Sequence, residues 1–95
     1  NNSEINVAKC YYKMERFKEA LKIFKALIEK YPQSEIAEES FLWLGDHFLE
    51  SLDFDSAIGY YKKFLEEFSN SERKNIVLYH LAESYDGKEE YDEAV

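Results

Sequence analysis

A five-residue motif returns twice at a constant distance, and this constrains the fold more than any other feature of the chain. Phe17-Lys18-Glu19-Ala20-Leu21 recurs as Phe54-Asp55-Ser56-Ala57-Ile58 and again as Tyr91-Asp92-Glu93-Ala94-Val95, each step being 37 residues. The same step takes Val7-Ala8 to Leu44-Gly45 and Leu81-Ala82, and Tyr11 to Phe48 and Tyr85. It also takes Phe24 to Tyr61, Leu27 to Phe64, Ile28 to Leu65 and Tyr31 to Phe68. Charges drift between these positions while apolar character is kept. Such a pattern identifies a repeat whose units bury their apolar faces on one another.

The spacing inside each unit is helical. Phe17, Ala20, Leu21, Phe24, Leu27, Ile28 and Tyr31 fall three or four apart and trace one stripe of a helix, as do Phe54, Ala57, Ile58, Tyr61, Phe64, Leu65 and Phe68. A second kind of segment holds Phe41, Leu44, Gly45, Phe48, Leu49 and Leu52. Its counterparts are Val7, Ala8 and Tyr11 before it, and Val77, Leu78, Leu81, Ala82 and Tyr85 after it. The small residues Ala8, Gly45 and Ala82 are expected to admit a close neighbouring helix, with Ala20, Ala57 and Ala94 facing them.

Punctuation agrees with this reading. Tyr31-Pro32-Gln33-Ser34 stops one helix, and Ser34 is placed to cap the next. Phe68-Ser69-Asn70-Ser71 is the equivalent break, with Ser71 as the expected cap. Asp53 suits the start of the helix after it, whereas its repeat equivalent Arg16 is a poor cap and that helix start should fray. The spacing predicts helices over about 3–14, 17–31, 34–51, 54–68 and 71–86, and the start of a sixth at 90. Three Gly and one Pro in 95 residues argue against an all-β protein. The expected class is all-α: an α-α superhelix, one repeat domain of units 1–33, 34–70 and a truncated 71–95.

The alternation resembles the tetratricopeptide repeat, in which a Leu-Gly pair and an aromatic in the first helix precede Tyr-x-x-Ala and an aromatic in the second. Leu44-Gly45, Phe48, Ala57 and Tyr61 match in the middle unit; Tyr11, Ala20, Phe24 and Pro32 match in the first. The third offers Leu81-Ala82, Tyr85 and Ala94. The step of 37 and the bulky Leu27 and Phe64 depart from the commonest form. With Tyr31-Pro32-Gln33-Ser34 they are similar to a branch found in bacterial envelope proteins, the BamD-like and CpoB-like repeats. That resemblance implies a protein-binding scaffold or adaptor at the periplasm or outer-membrane periphery, with the cytoplasm left open.

Stacked helix pairs curve, and the first helix of each pair is expected to line the concave face. The candidate contact positions are then Ile5, Lys9, Tyr12 and Lys13 in the first unit, Leu42, Asp46, Leu49 and Glu50 in the second, and Tyr79 and Glu83 in the third. Tyr12 and Tyr79 are either anchors for a bound segment or packing residues, while Trp43 and Tyr60 read as packing. The carboxylate clamp of some family members needs Lys and Asn where this chain has Ile5, Lys9, Leu42 and Asp46, so that clamp is absent.

No chemistry is expected. His47 and His80 are 33 residues apart, off the repeat step, and read as solvent-exposed helix residues. His47 with Glu50 is one helical pair where a metal needs three or four converging ligands. Cys10 reads as a small apolar filler, and Glu15, Glu89 and Glu90 as solvated groups at interhelix turns. No phosphate loop, nucleophile triad or zinc spacing occurs in the sequence, so no cofactor is expected. The partner class is protein or peptide. A net charge of −8 disfavours nucleic acid, and no apolar run approaches a membrane span. The charge is uneven: +3 over residues 1–31, −7 over 32–68 and −4 over 69–95, which would steer basic segments toward the later units. Two other readings stay open. A stub ending at Val95 leaves Ala82 and Tyr85 uncovered, so the chain either lies among further repeats or completes its stack as a homo-oligomer. It is also compatible with a non-catalytic part of a larger enzyme.

Overall fold

A computed structural model of the chain describes residues 2–94, with side chains described for residues 4–89. Five helices occupy the described residues, and no strand occurs among them: α1 (Asn2–Lys13), α2 (Phe17–Lys30), α3 (Glu35–Glu50), α4 (Phe54–Glu67) and α5 (Lys74–Ala94). The fold is all-α and of the helical-repeat class. Contacts gather into two compact units, residues 1–44 and residues 45–95, divided within α3.

In unit 1, α1 and α2 form an antiparallel pair. The Tyr31 hydroxyl and the Lys30 ammonium, at the end of α2, reach back to Glu4 at the start of α1, at 2.7 and 3.1 Å. The Tyr31 bond first, and Lys30 after it, hold the Glu4 carboxyl below its ordinary range. Ile5, Ala8, Ala20, Phe24, Leu27, Ala37 and Phe41 form the core of this unit. Val7, expected in the stripe, is 48% exposed, because it stands about 100° round the helix from the buried Ala8. Cys10 is exposed rather than a core filler.

In unit 2, α4 packs antiparallel on α5, where Lys88 meets Asp55 at 2.7 Å. The core is Phe54, Ala57, Ile58, Tyr61 and Phe64 from α4, with Val77 and Ser84 from α5. Gly45 faces the Tyr61 ring: a Cβ added there would stand 2.5 Å from it. Ala94, the third expected partner of a small residue, lies outside the described side chains.

The repeat extends to the backbone of the turns. Arg16 N–H donates to the Tyr11 carbonyl at 2.9 Å and Glu15 N–H to Tyr12 at 3.0 Å. One repeat later, Asp53 N–H donates to Phe48 at 2.8 Å and Leu52 N–H to Leu49 at 3.1 Å. Both are Schellman closures, which need a left-handed residue after the helix. Glu15 at φ 62° and Leu52 at φ 66° supply it without glycine. Leu52 is therefore a turn residue, 51% exposed, and not part of the buried stripe.

Caps follow the residue types. Ser34 Oγ accepts from Ala37 N–H at 3.1 Å, and Asp53 accepts from Ser56 N–H at 3.4 Å and Ser56 Oγ at 2.9 Å. Arg16, in the Asp53 position, makes no side-chain cap. Arg16→Asn is expected to stabilise the chain by about 1 kcal/mol, read as a raised denaturant midpoint at unchanged slope. Ser71 does not cap α5 as expected. Its Oγ accepts from Arg73 N–H at 3.1 Å in a turn, and the helix begins three residues later at Lys74.

The third unit departs most from expectation. α5 runs unbroken through residues 86–90, where a turn and a sixth helix were expected, so Glu89 is a helix residue. Lys88, Glu89 and Glu90 are good helix formers, and Glu90 stands where Asp53 caps in the second unit. Gly87 then continues the packing on α4, its Cα close against the Phe54 ring.

Candidate functional site

The expected contact residues separate by unit. In unit 1, Ile5 is buried, a correction to its placement on an open surface: at three residues from Ala8 it shares the core face of α1. It still forms the floor of a hollow of about 280 Å³ with Asn6, Lys9, Glu35, Ile36 and Glu39. Lys9 is paired with Glu39 across that hollow at 3.1 Å. Tyr12 resolves to packing, its ring edge-on to Phe17 at 4.8 Å and to Trp43 at 5.1 Å. Trp43 in turn stacks on Phe24 at 5.5 Å. Lys13 is exposed and Leu42 half-buried.

In unit 2, Asp46 and Leu49 are half-buried on α3, Glu50 is exposed beside them, and Tyr79 and Glu83 are exposed on α5. Tyr79 is the most open large apolar side chain described, at 63%. Tyr60 packs as expected, stacked on Phe48 at 5.7 Å with the rings 2° from parallel.

A polar network joins the three helices of this unit. His80 Nδ1 lies 2.9 Å from Asp46 Oδ1, and the Tyr61 hydroxyl donates to the same carboxylate oxygen. Tyr61 Oη and His80 Nδ1 are 3.4 Å apart. Burial, first, and the hydrogen bond to Asp46 push the Tyr61 phenol far above its ordinary value, with Glu83 and Glu50 adding to it. The phenol is thus held as a donor, and Asp46 as the acceptor on which both neighbours converge. His80 was expected to be solvent-exposed; it is half-buried in this network. The repeat step hid it, since His80 falls 37 residues after Trp43 and borrows nothing from His47.

These groups hold one another in place across α3, α4 and α5. Tyr61, whose phenol is turned onto Asp46, has its side chain fully buried. Among the described residues, no three of His, Cys, Asp or Glu come together as metal ligands, and no helix is long and apolar enough to cross a membrane. Unit 2 thus has an exposed ring, Tyr79, on α5 with Glu83 one turn along it, and on α3 a carboxylate, Asp46, held by Tyr61 and His80.

Two family models described as tetratricopeptide repeat match the chain, one over residues 6–34 and the other over residues 42–95. No curated protein and no solved structure matches it significantly.

Proposed function

We propose that this chain, which belongs to the tetratricopeptide repeat family, is a non-catalytic module that holds a partner protein's segment against the Asp46–Tyr79 face of unit 2. Tetratricopeptide repeats mediate protein–protein interaction, and the finer reading is where this one does so. The observation that carries it is Tyr79, a ring 63% exposed on α5 with Glu83 one turn along the same helix. A large amphipathic side chain left open on a rigid helix is the usual anchor of an interface. Asp46, Leu49 and Glu50 on α3 add a half-buried aliphatic contact and two carboxylates. Their charge favours segments carrying Lys or Arg and disfavours acidic ones. In unit 1, Lys13 and Leu42 are the positions of the expected set still placed for contact, Lys9 being paired with Glu39.

The bacterial-envelope branch, with a scaffold role there, is a further part of this reading. It is supported by the step of 37 and by Tyr31-Pro32-Gln33-Ser34. The marker has a physical role in this fold: Tyr31 ties the end of α2 to Glu4, and Ser34 caps α3.

The test is a titration of a partner co-purified with the chain and identified by mass spectrometry. Tyr79→Ala is expected to weaken binding by about 2 kcal/mol, roughly thirtyfold, and Glu83→Lys to weaken it for a basic segment. Lys63→Ala, on an exposed position of α4, should leave it unchanged. Equal affinity for wild type and Tyr79→Ala, with folding intact by circular dichroism, removes the assignment.

A further inference from the structure

The network of Asp46, Tyr61 and His80 has one member of a type that changes charge near neutral pH. Histidine ordinarily titrates between about pH 5 and 8, a range over which carboxylates, phenols and lysines ordinarily keep one charge state. His47, the other histidine of the chain, stands about 100° round α3 from Asp46, with its ring centroid 5.3 Å from that of Phe48.

Hydrogen bonding fixes which ring nitrogen gains and loses the proton. A carboxylate only accepts, so Nδ1, 2.9 Å from Asp46 Oδ1, carries its hydrogen whether the ring is neutral or charged. Tyr61 Oη, 3.4 Å from Nδ1, is turned onto the same carboxylate oxygen and does not compete for that nitrogen. The exchangeable site is therefore Nε2. Protonation there breaks no bond of the network, and it places a full positive charge beside Asp46. The His80 side chain is 22% exposed and that of Asp46 44%, so both solvent and a partner reach the pair.

The other groups around the ring are acidic or neutral. Asp46 faces it from α3 and Tyr61 from α4. On α5 itself the Tyr79 ring lies 5.8 Å away between centroids, and Glu83 follows one turn along. Glu50 and Glu83 both act on the Tyr61 phenol, so their field extends over the network. Among the described residues no Lys or Arg pairs with Asp46 or His80. With His80 neutral the face carries the charges of Asp46, Glu50 and Glu83; with His80 charged, one of the three is cancelled.

We propose that His80 makes this face a pH-dependent reader of basic segments, its neutral form leaving Asp46 free to attract Lys or Arg and its charged form weakening their capture. The proposal rests on the contact face assigned under the proposed function and names its regulation. Linkage makes the effect reciprocal: a cation held at Asp46 disfavours the proton on His80, so binding releases protons where His80 is partly charged.

Solution NMR of the chain titrated with acetylated, amidated hexalysine is the test, at about pH 8 and about pH 5.5, because lysine ordinarily keeps its charge at both. Circular dichroism at each pH checks folding. The wild type should bind about fivefold to tenfold more weakly at the lower pH, the effect of one added charge close to the site, with shifts centred on residues 46–50 and 76–83. His80→Asn, whose amide nitrogen takes the place of Nδ1 and stays neutral, should bind equally at both. His47→Asn should behave as the wild type. Shifts on those residues with equal affinity at the two pH values overturn the proposal and leave the contact face standing, as does a His80→Asn variant that keeps the pH step. Absence of shifts there at either pH removes the face, and the proposal with it.

Discussion

Replacing Tyr61 with alanine is expected to cost unit 2 about 3–5 kcal/mol, the range for removing a fully buried aromatic ring. The side chain is inaccessible to solvent, its ring fills the space left by the missing Cβ of Gly45, and its hydroxyl is one of two donors on Asp46. The variant therefore leaves a cavity and removes a hydrogen bond together. Tyr61→Phe separates the two effects. It keeps the ring, leaves Asp46 paired with His80, and should cost only about 1 kcal/mol. The pair also distinguishes itself in alkali. A phenol whose folded-state value is raised contributes stability that is fully present below its ordinary value of 10.0 and is lost as pH rises above it. The wild type should weaken above that pH, and Tyr61→Phe should weaken less steeply. Urea midpoints across the alkaline range read this directly.

The three glycines supply the second large effect, through its sign. Glycine inside a helix ordinarily costs about 1 kcal/mol relative to alanine, so Gly→Ala should stabilise wherever there is room. At Gly59 nothing lies within 4 Å of the added Cβ, and Gly59→Ala should gain roughly that amount. At Gly45 the added Cβ would lie 2.5 Å from the Tyr61 ring, and at Gly87 it would collide with the Phe54 ring. Both rings are buried and have no free space to swing into. Gly45→Ala and Gly87→Ala should each destabilise by about 1–3 kcal/mol, the cost of overpacking. Three single substitutions of one kind thus give one rise and two falls in melting temperature. Three equal rises would mean that α3, α4 and α5 do not pack as closely as described.

Local physical chemistry accounts for what was legible in the sequence. The stripes of α2 and α4 follow from residues three and four apart, and Ala20, Phe24 and Leu27, then Ala57, Tyr61 and Phe64, are buried. Ser34 and Asp53 cap because their side-chain oxygens stand where helical N–H groups lack partners. What escaped was tertiary. Extending the repeat to residues 86–90 put a turn at Glu89, but a Schellman turn is worth forming only when a following helix has a surface to pack on. Here α5 runs on unbroken, and Lys88 pairs with Asp55. His80 escaped for a related reason. Its equivalents Trp43 and Asn6 share no chemistry with it, and only the packing of α5 on α4 brings it to Asp46 and Tyr61. Tyr12 and Tyr79 were indistinguishable by position. The ring of Tyr12 is taken up by Phe17 and Trp43, whereas Tyr79 stays open to solvent.

The polar network gives the proposed contact face its rigidity. Asp46 is held by two donors from different helices, so a partner's cation would meet a carboxylate already oriented, and little side-chain freedom would be lost on binding. Glu83 and Glu50, free of such anchoring, set the sign of the field around it.

The measurement that tests the account most directly is a hydrogen-exchange footprint of the chain with and without its identified partner. Protection is expected over residues 76–83 of α5 and 46–50 of α3, the backbone beneath Tyr79, Glu83, Asp46 and Leu49. Protection confined to the exposed side of α2 at Lys18, Lys22 and Lys25, or of α4 at Gly59 and Lys63, with those segments unchanged, would contradict it.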